Sequence, residues 1–150
     1  MKVGYAYTPE DESFVAKACG KELRVKIKDC IEVCAFIQGK KAKDAQKVLE
    51  DVLNEKALVP IKKTKKQSGH KAGMAPYGAR PVKAVGEVLD VLKAAITNAE
   101  FKGLDVDNCV VISALALRGH KMRRRRPKGR QAVYEIHLTT IQVFLEEKSE

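Results

Sequence analysis

The sequence predicts an α+β fold in which helices precede a strand-rich C-terminal third built around a long basic β-hairpin. Three observations carry this reading. Apolar residues recur at three- and four-residue spacing in three segments between Lys28 and Lys102. Two segments rich in β-formers follow, Cys109 to Leu117 and Val133 to Leu145. Between them lies Lys121-Met122-Arg123-Arg124-Arg125-Arg126-Pro127-Lys128-Gly129-Arg130, where seven of ten residues carry fixed positive charge. A run of helices followed by a run of strands marks the α+β class.

The elements follow in chain order. Residues 1 to 22 show no steady period, and Pro9-Glu10-Asp11-Glu12-Ser13 reads as an acidic turn. Leu23-Arg24-Val25-Lys26-Ile27 alternates, which fits a short strand or an extended lead-in. From about Lys28 to Ile37 a helix is expected, with a broad apolar face of Ile31, Val33, Cys34, Ala35 and Ile37, stopped by Gly39. Lys41 to Asn54 reads as a second helix, with Ala42, Ala45, Val48, Leu49, Val52 and Leu53 on one side. Residues 55 to 79 break the pattern as a basic insert, too long and too polar for an ordinary connection. Pro81 to Lys102 is the clearest helix: Pro81 suits its first turn, Gly103 its end, and Val85, Val88, Leu89, Leu92, Ile96 and Ala99 form one stripe. Asp105 and Asp107 form a DxD, read as turn and cap chemistry in preference to a metal pair.

The hairpin is expected over 109–145. On its second arm Ile136 and Leu138 share one phase and Ile141, Val143 and Leu145 the other, which predicts a bulge or sharp twist near Thr139-Thr140. Apolar alternation fades between Arg118 and Gln131, so these residues cannot all rest on a core. An arm of about seven residues at ~3.3 Å each reaches about 23 Å beyond the body. An isolated two-stranded ribbon is marginal in water, so this one should be mobile when free and ordered when bound. The acidic end, Glu146 to Glu150, is expected to fray.

Composition narrows the function. The 150 residues fit one domain, 1–150, with room for a hydrophobic core. Lys plus Arg number 29 against 19 Asp plus Glu, and the resulting charge of +10 favours a polyanionic partner, nucleic acid before a membrane surface. No stretch approaches the roughly 20 apolar residues of a spanning helix, and Met1-Lys2-Val3 leads into polar sequence, so neither membrane insertion nor a secretory signal is expected. Cys19, Cys30, Cys34 and Cys109 form no CxxC pair and read as small thiols in a reducing compartment. Aromatic content is 5% with no Trp, which argues for contact through phosphate and shape over base stacking.

Catalytic constellations are absent from the sequence. His70, His120 and His137 fall in three segments, and there is no Gly-rich phosphate loop, HExxH or GxSxG. Neither enzymatic activity nor a cofactor is expected. The residues that suit a phosphate backbone are Lys62, Lys63, Lys65, Lys66 and Lys71 in the insert, and Arg118, Lys121, Arg123, Arg124, Arg125, Arg126, Lys128 and Arg130 on the hairpin. Arg24, Lys26 and Arg80 join them, and His70 and His120 read as additional donors.

The residues also carry a resemblance. Asn98-Ala99-Glu100-Phe101-Lys102-Gly103-Leu104-Asp105-Val106-Asp107, followed by a strand and then Lys121-Met122-Arg123-Arg124-Arg125, closely resembles the large-subunit ribosomal protein L-twenty-two family, called L-seventeen in the older eukaryotic naming. Leu23-Arg24-Val25 and the helix closing on Ile37-Gln38-Gly39-Lys40 are similar to the family's first helix, and Ala42 to Leu53 to its second. The resemblance runs from about Leu23 to Leu145 and points to the archaeal and eukaryotic branch. It implies three helices on a small three-stranded antiparallel sheet with one long protruding hairpin. It implies a structural role in the large ribosomal subunit, in translation and subunit assembly. The expected partners are large-subunit ribosomal RNA, neighbouring ribosomal proteins and the nascent peptide, with the hairpin lining the peptide exit tunnel. The expected location is the cytoplasm, after passage through the nucleus and nucleolus if the source is eukaryotic. Arg126-Pro127-Lys128-Gly129-Arg130 stands where the family closes its hairpin with Arg-Ala-x-Gly-Arg, which implies RNA contact at Arg126, Gly129 and Arg130. Pro127 replaces the small residue, and Thr140 stands where the family often has a His whose role is not transferred. A free-standing RNA- or DNA-binding module outside the ribosome is the alternative.

Overall fold

A computed structural model of the chain describes residues 4–9, 11–63, 65, 69–70, 77–126 and 132–147. The order is β1 (Val15–Leu23), α1 (Ile27–Ile37), α2 (Ala42–Leu53), β2 (Val59–Pro60), β3 (Gly78–Ala79), α3 (Val82–Phe101), β4 (Cys109–Arg125) and β5 (Val133–Glu147). The main sheet is antiparallel with order β1-β5-β4, and β2 pairs with β3 in a separate two-stranded sheet. The α+β class is therefore observed, with three helices and a three-stranded sheet.

The core lies between the helices and one face of the main sheet. Ile37 of α1, Leu49 of α2, Leu92 of α3 and Ile141, Val143 and Leu145 of β5 are fully buried. Each such side chain contributes about 1.5–3 kcal/mol by leaving water. The helices end where the glycines allow it. Gly39 and Gly103 have φ of +81° and +76°, a left-handed conformation that a side chain would strain. Past α1 the backbone is stitched to β4: Gly39 N–H donates to Val111 O at 2.8 Å, and Val111 N–H donates to Lys40 O at 2.9 Å.

The first strand departs from the alternation at Leu23 to Ile27. β1 ends at Leu23, and Ile27 opens α1. Its sequence, Val-Ala-Lys-Ala-Cys-Gly-Lys-Glu-Leu, is poor in β-branched residues. What holds it is tertiary: it pairs with β5 from Val15↔Glu146 to Leu23↔Thr139 and lies under α3. Small residues are required there. A Cβ on Gly20 would come within 2.6 Å of Val91 Cγ2.

The phase change on β5 has a different origin from a bulge in that strand. As the central strand, β5 is buried on both faces. Its odd-numbered residues from Thr139 to Leu145 face the helical core, and Gln142 and Phe144 face the segment 4–7. That segment is pinned by Gln142, whose Oε1 accepts from Ala6 N–H at 2.9 Å and whose Nε2 donates to Gly4 O at 2.8 Å. Tyr5 and Tyr7 meet the Phe144 ring edge-on, with centroids 5.6 and 5.2 Å away. The irregularities fall in the partner strands. β1 shifts register between Gly20 and Leu23, where Glu22 has φ of +54°, and β4 shifts between Arg118 and Lys121, at Gly119. The first lies opposite Thr139 to Ile141 and the second opposite His137 to Thr139, so they meet at Thr139, and bulges there increase the local twist.

Cys30, Cys34 and Cys109 are buried, and Cys19 is half-buried. Burial pushes the thiols of Cys30 and Cys34 up to about 12, because a thiolate would lose its hydration.

Two expectations follow from this packing. Gly20→Ala forces β1 and α3 apart and should cost about 1–3 kcal/mol, read as a lower urea midpoint. Because Cys30 and Cys34 hold their protons above the ordinary thiol value, the native state binds more protons than the unfolded chain between pH 9 and about 12. Their contribution is complete below that window and falls as pH rises through it. A Cys30→Ala/Cys34→Ala variant should show a shallower alkaline loss of stability than the parent, measured by urea unfolding across that range.

Candidate nucleic-acid interface

The partner strand β1 stops at Thr139, so β4 and β5 continue beyond it as a two-stranded ribbon. Pairing is regular from Lys121↔His137 to Arg125↔Val133, and Arg126 N–H donates to Ala132 O at 3.1 Å. From Lys121 to Arg126 the ribbon extends about 20 Å at ~3.3 Å per residue. All six residues of that stretch are exposed.

Strand alternation gives this ribbon two unlike faces. Lys121, Arg123 and Arg125 share one face with His137, Glu135 and Val133. Met122 and Arg124 share the other with Ile136 and Tyr134. On the first face Glu135 lies across from Arg123 and accepts from both neighbours, at 3.4 Å from Arg123 Nε and 3.5 Å from Lys121 Nζ. Exposed pairs like these add little stability, but they lay two long side chains along the ribbon. Toward the end of the described ribbon an open concavity is lined by Arg124 and Tyr134 of the second face together with Arg125 and Arg126. Tyr134 and Met122 are about half exposed. The sparse aromatic count did not point to Tyr134. Its place directly opposite Arg124 in the register puts an aromatic residue and an arginine on the same face of the ribbon.

The base of the ribbon gathers further cations. Thr139 pairs with Arg118, and its Oγ1 donates to Val25 O at 2.9 Å. The buried Val25 is thereby tied to the sheet, with Arg24 and Lys26 exposed on either side. Arg24, Lys26 and Arg118 are thus brought to the foot of the arginine run, although they are far apart in sequence.

The basic insert is anchored by a residue that charge patterning passes over. Glu32 of α1 is 4% exposed, and its carboxylate accepts from Lys62 N–H and Lys63 N–H, both at 2.9 Å. The buried carboxylate holds the backbone while the Lys62 and Lys63 side chains stand in solvent. The β2–β3 pairing, with Ile61 N–H donating to Tyr77 O at 3.0 Å, closes the neck of the insert. Lys65 and Arg80 are exposed. Lys66, Lys71, Lys128, Gly129, Arg130 and Pro127 lie outside the described residues. A buried Glu followed about thirty residues later by a Lys pair has no sequence signature.

The acidic pair at 105 and 107 behaves as turn chemistry. Asp105 accepts from Asp107 N–H and from Asn108 Nδ2, both at 3.0 Å, and Asp107 pairs with Lys43. Among the described residues no group of three or more His, Cys, Asp or Glu side chains could hold a metal. Likewise no helix among them is long and apolar enough to cross a membrane.

The ribbon, its cationic foot and the anchored insert define a protein that offers dispersed positive charge on a small α+β body. The family model of ribosomal protein L22p/L17e matches residues 18–146. The large ribosomal subunit protein uL22 of Archaeoglobus fulgidus is 42% identical over 149 residues, covering 97% of this chain and 96% of the relative. The uL22 of Methanocella arvoryzae is 38% identical, covering 97% of each chain. That of Caenorhabditis elegans is 36% identical, covering 99% of this chain and 83% of the relative. The chain belongs to the ribosomal protein L22p/L17e family.

Removing the anchor should loosen the insert. Glu32→Ala strips two backbone donors of their charged acceptor and should cost about 1.5–3 kcal/mol. Hydrogen exchange at the Lys62 and Lys63 amides should accelerate more than at the α3 core. Unchanged protection at both amides would contradict the anchoring role.

Proposed function

We propose that this protein binds large-subunit ribosomal RNA through the ribbon, its cationic foot and the basic insert. Family membership makes it a structural ribosomal protein and not an enzyme. The observation that carries the RNA reading is the ribbon. Among the described residues it is a strongly cationic, two-stranded extension with no third strand, and its exposed arginines have one acidic partner there, Glu135. Arginines fork onto phosphates with two parallel bonds. Arg123 and Arg125 on one face and Arg124 on the other can engage separate backbone segments as the ribbon passes between RNA strands. Tyr134 beside Arg124 adds a stacking surface for one unpaired base.

In this reading Arg24, Lys26, Arg118 and Lys121 guide RNA along the foot. Lys62, Lys63, Lys65, Lys66, Lys71 and Arg80 hold a second segment near α1, and Arg126, Lys128, Gly129 and Arg130 contact RNA at the tip. The tip lies along the peptide exit tunnel, beside the nascent peptide and neighbouring ribosomal proteins. The protein works in the cytoplasm on assembled ribosomes.

Sedimentation of cell extract at moderate salt tests the assignment. Stable co-migration with the large subunit is expected, and a purely free pool would sink the reading in favour of a free-standing nucleic-acid-binding module. Replacing Arg123, Arg124, Arg125 and Arg126 with Ala should impair subunit incorporation while circular dichroism of the body stays unchanged. In binding to ribosomal RNA fragments the same variant should lower the slope of log K against log salt by about three, at roughly 0.7–0.9 per phosphate contact. An unchanged slope would mean that the arginines do not meet phosphate.

A further inference from the structure

The end of the body farthest from the ribbon has the opposite character. Phe101, in the last turn of α3, is 93% exposed, and Phe14, just before β1, is 54% exposed. They belong to one surface region. Lys102 Nζ donates to Glu12 O at 2.9 Å and to Val15 O at 2.8 Å, which fastens the end of α3 across the segment that carries Phe14. Single exposed apolar residues are ordinary, but two exposed aromatics on segments fastened together at one end of the body mark a surface region that can bind a partner.

The charge around them is negative in a chain whose net charge is +10. Asp11, Glu12, Glu100, Asp105 and Asp107 are exposed in the adjoining segments. Glu146 and Glu147 close the same end of the sheet, and Glu147 N–H donates to Phe14 O at 3.2 Å. Among the described residues three nearby cations are engaged, two of them by Glu12 and Asp107, and Asp11, Glu100 and Asp105 stay exposed. Lys102 is held by two carbonyls, Lys17 pairs with Glu12 at 2.9 Å, and Lys43 pairs with Asp107.

This combination excludes one partner and selects another. A phosphate backbone brought to Phe101 would meet carboxylates well within the ~8 Å screening length of physiological salt. A cationic polypeptide meets attraction instead. Its Arg side chains can lie on the exposed rings, and an apolar side chain can cover them. We infer that this acidic, aromatic-bearing end is a docking surface for a Lys/Arg-rich segment of another protein, with Phe101 and Phe14 as its apolar anchors. The surface is separate from the RNA-binding ribbon and does not depend on it.

Photo-crosslinking from position 101 tests this. Phe101 is replaced by p-benzoylphenylalanine in the full chain, large subunits are isolated, and the adduct is identified by mass spectrometry. The expected adduct is a Lys/Arg-rich segment of a second protein. Its yield should fall about tenfold when Glu12, Glu100 and Asp11 are changed to Lys, with the body's circular dichroism unchanged. An adduct to RNA, to another part of the same chain or to a second copy of it would overturn the proposal, as would no adduct or a yield indifferent to the charge reversal. A second measurement stands apart from subunit assembly. The free full-length chain should bind a synthetic Arg/Leu peptide about tenfold more weakly when Phe101 and Phe14 are both Ala. Equal binding by the two chains would also overturn the proposal. A chain that docks this peptide yet never enters large subunits would count against the ribosomal reading alone.

Discussion

Burial of β5 on both faces is the constraint on which the other elements depend. Its odd-numbered residues seat α1 and α3, α2 packs on α3, and Gln142 and Phe144 seat the N-terminal segment. It pairs with β1 on one side and β4 on the other, so it fixes the register of both. A slip of one residue would exchange Val143 for Gln142 against α3 and leave Phe144 in the helical core. The ribbon inherits its alignment from the same strand, because β5 runs without a break from the buried sheet to Val133. The side chains that face outward on the ribbon are therefore set by packing some distance away.

The two ends of the molecule divide the charge. Arg24, Lys26, Arg118 and the arginine run collect where β1 gives out, while Glu100, Asp105 and Glu147 collect where the same sheet begins. The segregation gives one body a strongly cationic face without carrying that character over its whole surface. It also keeps the core neutral. Among the described residues Glu32 is the buried charged group, and the backbone N–H groups of Lys62 and Lys63 stabilise it.

The three helices and the basic strand pair were legible because each obeys a local period. α3 runs Val82–Phe101, within one residue at each end of the span expected from Pro81 to Lys102. The family was legible for another reason, the rare pairing of the segment Asn98 to Asp107 with the run Lys121 to Arg125. β1 was not legible, since Ala16, Ala18 and Gly20 are selected by close approach to α3 and not by strand propensity. The apparent phase break near Thr139 was a real signal with two causes, burial of β5 on both faces and bulges in the strands beside it. Glu32 and Tyr134 escaped because their roles arise only when distant segments meet.

The neck made by β2 and β3 has a consequence for how such a chain can change over time. Because Val59↔Ala79 and Pro60↔Gly78 close the insert at its root and Glu32 holds the Lys62 and Lys63 amides, the body fixes the insert at its base. Closing a longer flexible loop costs little: each doubling of length adds about 0.6 kcal/mol. The number of lysines carried there is therefore nearly decoupled from folding. The segment between those ends can be lengthened, shortened or recharged while the helices and sheet beneath it stay as they are.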